Sequence, residues 1–201
     1  MSLERLREHS LGGSVESENM GALFGALPSL GGDEMKILAF DQATVRTGYA
    51  FFEDNTMGAF GLIDLHKMKQ GLGLRMDAMF QQMAEEVEKY QPDVIVIEDV
   101  AMQANPSGLI ALARLQGMII GYCVLHEIGC VILKPTEWRR ACGFKQGRVK
   151  REQLKQQAID FVKDVYHLQV TDDEADAICI GTAYVASLMA AGEEKNESDE
   201  R

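Results

Sequence analysis

The chain has 201 residues, of which 46% are hydrophobic and 25% charged, and a net charge of −11. That is enough for one globular domain with a proper core. No apolar run approaches the roughly 20 residues needed to cross a bilayer, and no charged leader precedes a short apolar core with a cleavage site, so a cytoplasmic location without membrane attachment is expected.

The four cysteines, Cys123, Cys130, Cys142 and Cys179, lie among apolar neighbours. They lack the CxxC pairing of zinc sites and the density of a disulfide scaffold, so they read as reduced packing residues. The acidic balance argues at first against a phosphate-rich partner. The distribution of charge along the chain argues the other way. Residues 1–34 carry net −4 and residues 193–201 net −3, whereas Lys134 to Lys155 holds eight basic and two acidic residues. A basic stretch on an acidic protein is either a solvated face or an electrostatic footprint for nucleic acid.

In chain order, residues 1–34 are rich in Gly and Ser without a sustained apolar period and read as a flexible N-terminal extension. Three strands follow, Lys36 to Asp41, Thr47 to Glu53 and Met57 to Leu65. Asp54 and Asn55 supply a hairpin turn, and the set forms an antiparallel meander. Gly48 suits a close backbone approach, and Thr44, Arg46 and Thr47 are expected to crowd around Asp41. Leu72 to Tyr90 has the apolar spacing of an amphipathic helix, ended by Gln91 and Pro92. Asp93 to Glu98 is a nearly continuous Val/Ile run, the mark of a strand covered on both faces.

Asn105, Pro106 and Ser107 open a helix from about Gly108 to Glu127, in which Gly117 and Gly121 permit close approach of another element. A short strand, Cys130 to Leu133, leads to a brief helix, Glu137 to Cys142. The basic segment then begins as a loop and becomes a helix. Thr171 and Glu174 form a capping box for a last helix, Asp172 to about Ala190, and residues 191–201 read as an acidic disordered tail. The domain therefore spans 35–190. Its fold class is α/β: a mixed five-stranded sheet, three antiparallel strands and then parallel ones, flanked by helices.

Asp41 and Glu98 each end an apolar strand, where a carboxylate is poorly solvated. Asp173 and Asp176 are three residues apart in a helix and share one face. Four such carboxylates suit divalent cations, which prefer oxygen ligands and, in pairs about 4 Å apart, can activate water and stabilise a leaving oxygen. Asp172 and Glu174 are more simply read as charges complementing a helix N-terminus. Spacing alone does not choose among metal-dependent phosphoryl enzymes.

FDQATVRTGYAFF, DVIVIEDVAMQAN, GRVKREQL and DEADAICIGTAYVA, in this order, resemble the motifs of RuvC-type Holliday junction resolvases of the RNase H-like nuclease superfamily. The likeness spans about Met35 to Ala190. It implies an RNase H-like fold and a homodimer that cuts four-way DNA junctions by paired symmetric nicks. It also implies Mg2+, with Mn2+ as a substitute, held by Asp41, Glu98, Asp173 and Asp176. Lys150 matches a catalytic basic position, and Arg139, Arg140, Lys145, Arg148, Lys150 and Arg151 form the expected DNA-binding set. Two departures stand out. Gln42 and Ala43 replace the usual Pro-Gly after the first aspartate, and Ala101 stands where an aromatic often inserts at the junction, a divergence resembling a phage-encoded or otherwise remote branch rather than the main bacterial enzyme. Two other readings remain: a related nuclease for flaps, forks or structured RNA, and a non-catalytic junction-binding protein.

Overall fold

A computed structural model describes residues 22–24, 35–101 and 105–199. The strands are β1 (Ala22–Phe24), β2 (Lys36–Asp41), β3 (Arg46–Glu53), β4 (Thr56–Asp64), β5 (Val94–Glu98) and β6 (Gly129–Leu133). The helices are α1 (Leu72–Tyr90), α2 (Pro106–Leu125), α3 (Pro135–Ala141), α4 (Arg151–Tyr166) and α5 (Asp172–Asp199). The sheet runs in the order β1-β6-β5-β2-β3-β4. β2, β3 and β4 pair antiparallel, while β5 lies parallel to both β2 and β6.

Alternation along β2 divides the interior. Ile37 and Ala39 face a cluster with Trp138, Phe161, Ile178 and Val185, contributed by α3, α4 and α5. Leu38 and Phe40 face Met79, Met83, Leu115 and Cys123, from α1 and α2. Successive strand residues point to opposite faces, so a strand packed on both sides must be apolar throughout. The methionines of α1 are core filler as expected, and all four cysteines are free and buried.

The hairpin between β3 and β4 turns on Asp54 and Asn55, with φ of 50° and 63°. Positive φ at both central residues matches the strand twist of a two-residue hairpin. Gln91, in the left-handed region, ends α1 before Pro92. Asn105 Oδ1 caps α2 by accepting from the Ser107 N–H at 3.1 Å.

The structure corrects four expectations. A sixth strand, β1, pairs antiparallel with β6 and covers that sheet edge, so part of the segment 1–34 belongs to the sheet; the rest of that segment lies outside the described residues. α5 does not stop near Ala190 but continues to Asp199, through a GEEKNESD stretch in which Glu and Lys favour helix; residues 200–201 lie outside the described residues. Two helices, Pro106–Leu125 and Asp172–Gly192, are long and apolar enough by length and composition to cross a membrane, with mean hydropathy 1.7 and 1.4. The apolarity of α5 has a simpler cause, because its Ala175 to Val185 portion is the main packing partner of the sheet. Finally, the crowd around Asp41 is thinner than expected. Thr47 Oγ1 closes the turn on Ala43, accepting from its N–H and donating to its carbonyl, and Arg46 turns away to pair with Asp64 at 3.3 Å.

Candidate active site

β2 ends at Asp41 and its parallel neighbour β5 ends at Glu98, with Phe40 opposite Ile97. The two carboxylates therefore leave the sheet at the same end. Gln42, which is 7% exposed, ties these ends together. Its amide nitrogen donates to the Glu98 carbonyl at 2.5 Å, and its amide oxygen accepts from the Glu98 N–H at 3.1 Å. A side chain thus continues the backbone ladder past the last strand residue. This is how the turn works with Gln42 and Ala43 in place of a Pro-Gly pair.

α5 delivers the other two acids. Its start is fixed by the capping box, with Glu174 Oε2 accepting from the Thr171 N–H at 2.8 Å and Thr171 Oγ1 accepting from the Glu174 N–H at 3.3 Å. The first turn rests on β3 at Gly48, the residue paired with Asp41 across the sheet. A Cβ on Gly48 would run into the carbonyl of Asp173. Glycine is therefore what lets the helix, and with it Asp173 and Asp176, come down onto the end of β2.

The charges of the four acids act on one another. Burial pushes the Asp41 carboxyl well above the usual range, and the charges of Asp176, Glu98 and Asp173 push it the same way against Lys155. Burial and then the Glu98 charge raise Asp176 to about 7. Burial also raises Glu98, opposed by a hydrogen bond from Trp138 and by the Arg139 charge, and it raises Asp173, helped by Asp172. Acids that lift one another in this way are short of positive charge.

A hard divalent cation would supply it, so the residues present fit such an ion. Among the described residues no three His, Cys, Asp or Glu side chains converge as a ready-made ligand set.

The basic residues divide into two groups. Arg139 is drawn inward, its guanidinium NH2 lying 3.5 Å from Glu98 Oε1 and its Nε buried with no hydrogen-bond partner among the described residues. Arg140, Lys145, Arg148, Lys150 and Arg151 are exposed along the end of α3, the following loop and the start of α4. Lys150 sits just before α4, where its N–H donates to Gln153 Oε1 at 3.1 Å. Arg151 adds positive charge near Glu98 and lines a cleft with Thr44, Val45, Asn105 and Leu112, beside the turn that follows Asp41.

Two residues escaped the sequence reading. Lys155 Nζ pairs with Asp172, and its charge acts on Asp41, Asp173 and Asp176, which makes it the lysine facing the acids. It follows Arg151 by one helical turn, a spacing that marks a shared face but not its partner. Trp138 donates its indole N–H to Glu98 Oε1 at 2.9 Å, a contact that no motif announces.

The family model described as Lactococcus phage M3 protein matches residues 34–187. A crossover junction endodeoxyribonuclease RuvC of Dictyoglomus turgidum is 27% identical over 156 residues, covering 75% of this chain and 96% of that protein. Among solved structures, Thermus thermophilus RuvC in complex with Holliday junction substrate superposes with a TM-score of 0.60 at 10% identity, covering 76% of this chain and 94% of that one. A Fowlpox virus resolvase in complex with substrate Holliday junction DNA gives 0.55 at 21% identity, covering 77% and 99%. The chain belongs to the family described as Lactococcus phage M3 protein, a divergent RuvC-like branch of the RNase H-like fold.

Proposed function

We propose that this chain is a crossover junction endonuclease, which resolves four-way DNA junctions by paired symmetric nicks in the cytoplasm and leaves 5'-phosphate ends. The observation that carries this reading is the gathering of Asp41, Glu98 and the α5 aspartates at one end of a RuvC-like sheet, beside an exposed basic loop. Asp41, Glu98, Asp173 and Asp176 would hold divalent cations, Mg2+ by preference and Mn2+ as a substitute, which would supply activation of a water and stabilisation of the leaving oxygen of the phosphodiester.

The chain's own residues supply the rest. Gln42 holds the Asp41 and Glu98 strand ends in register. Lys155 and Arg139 temper the charge of the acids without cancelling it. Arg140, Lys145, Arg148, Lys150 and Arg151 contact the DNA backbone, with Lys150 and Arg148 nearest the cut. Lysine and arginine contacts of this kind position a substrate without reading its sequence. The nuclease domain comprises residues 35–190 together with the edge strand β1 and the continuation of α5 to Asp199.

Matched four-way, three-way and flap substrates test the assignment. The four-way junction is expected to be nicked at least tenfold faster than the others, a difference of about 1.4 kcal/mol in barrier. Equal rates on the three would move the chain to the wider class of branched-nucleic-acid nucleases.

Two nicks related by symmetry call for a two-fold protein. The outer face of α2 is suited to that contact. Ile110, Gly117, Gly121 and Val124 share one side of the helix; Ile110 and Val124 are 51% and 56% exposed, and among the described residues nothing lies within 4 Å of a Cβ placed at either glycine. A row of small and apolar residues lets a second helix pack closely. Gly121→Arg, which disturbs no internal contact, is expected to convert a dimer to a monomer in light scattering and to uncouple the two nicks. A Gly121→Arg protein that stays dimeric would place the interface elsewhere.

A further inference from the structure

We infer that Trp138 is a positioning residue for Glu98: its indole N–H fixes one carboxylate oxygen and leaves the other directed to a divalent cation. The inference rests on the metal-dependent reading above and concerns how this chain builds that site. Glu98 ends β5 and is held at its backbone and at Oε1, where the Arg139 guanidinium also lies 3.5 Å away. Gln42 fixes its backbone, and Trp138 Nε1 donates to Oε1 at 2.9 Å.

The donor itself is immobile. Trp138 is 1% exposed, its ring meets Phe144 edge-on at 5.8 Å, and Phe144 meets Phe161 of α4 in the same manner at 5.9 Å. On its other side the Arg139 guanidinium lies 4.7 Å from the ring centre. An indole held between an aromatic pair and a cation cannot swing away, so the carboxylate it grips keeps one rotamer.

The choice of donor also matters. A lysine in that place would neutralise Glu98 and compete with a metal ion. A neutral N–H orients the acid without adding charge of its own, which is what the outer partners of metal ligands commonly do, while the Arg139 guanidinium 3.5 Å from the same oxygen offsets part of the Glu98 charge. This chain contains one tryptophan, so its single indole N–H resonance is assigned without ambiguity.

The test follows the single indole N–H resonance in 1H–15N spectra of the whole protein, without DNA, during a Mg2+ titration. The resonance is expected to shift saturably in the wild type and to start from a different position and respond weakly in Glu98→Gln. In parallel, Trp138→Phe is expected to raise the Mg2+ concentration for half-maximal junction cleavage about tenfold, while kcat at saturating Mg2+ falls much less. An indole resonance indifferent to both Mg2+ and Glu98→Gln overturns the inference even if Trp138→Phe fails to fold. So does an unchanged Mg2+ requirement in Trp138→Phe when Glu98→Gln is inactive. If Glu98→Gln and Asp41→Asn both cut like the wild type, it is the nuclease site itself that fails.

Discussion

Asp41→Asn is expected to lower nicking of a four-way junction at least a thousandfold, a loss of about 4 kcal/mol in transition-state stabilisation, while junction binding is retained and the metal-free chain becomes more stable. The opposite signs have one cause. Asp41 is enclosed, three other acids raise its pKa, and Lys155 is the cation that opposes them. In the proposed function that concentrated charge would hold the divalent ion. Without one, it is a repulsion that folding must overcome.

The pH dependence follows from the same shifts. Asp176 moves from an ordinary 3.8 to about 7, and Asp41 moves in the same direction. A carboxyl whose pKa is raised on folding contributes stability that is complete below its unfolded value and is lost as pH rises through its folded value. Melting temperatures in EDTA should therefore fall between about pH 4 and pH 7 through Asp176, with Asp41 adding to the decline in the same direction. Asp172 works in the opposite sense, because its ion pair with Lys155 holds it below the usual range and is lost in stronger acid. Added Mg2+ should recover the stability lost at pH 8, and Asp41→Asn should flatten the decline. Thermal melts across pH and a labelled-junction nicking assay check both halves. Full cutting by Asp41→Asn would remove this residue from the site.

What the sequence disclosed follows from range. Asp41 and Glu98 were legible because a carboxylate closing an apolar strand is costly wherever the strand lies. The Asp54-Asn55 turn and the Thr171–Glu174 cap were legible because their hydrogen bonds and dihedrals are local. β1 was not, since three residues, Ala22–Phe24, carry no alternation to read and owe their strand to the edge of β6. Lys155 and Trp138 were hidden for a related reason. Whether a side chain on α4 or α3 meets Asp172 or Glu98 depends on how those helices dock, and docking is set by Phe144, Phe161 and the α5 face together. The family likeness named Lys150, whereas the electrostatics bring Lys155 to the acids. A motif fixes position along the chain, but the direction of a long side chain belongs to the packing.

Gly48→Ala carries the second large effect, and it separates the fold of the site from its chemistry. Gly48 pairs with Asp41 on one side and Leu62 on the other, so it cannot move without disturbing two ladders. The missing side chain faces the Asp173 carbonyl at the start of α5. An added methyl group meets backbone there rather than a side chain able to rotate, so the first turn of α5 must lift. Overpacking of this kind costs about 1–3 kcal/mol. The lift also carries Asp173 and Asp176 away from Asp41 and Glu98, and displacing a reacting group by about 1 Å is enough to lose on the order of a hundredfold in rate. Gly48→Ala should therefore melt several degrees lower and cut at least a hundredfold more slowly, with every carboxylate still present. Gly73→Ala provides the contrast: a Cβ at that α1 position meets nothing within 4 Å, and alanine there should stabilise the helix by up to about 1 kcal/mol without changing the cutting rate. A Gly48→Ala protein that melts and cuts like the wild type would mean that α5 does not rest on β3, and the gathering of the four acids would lose its structural basis.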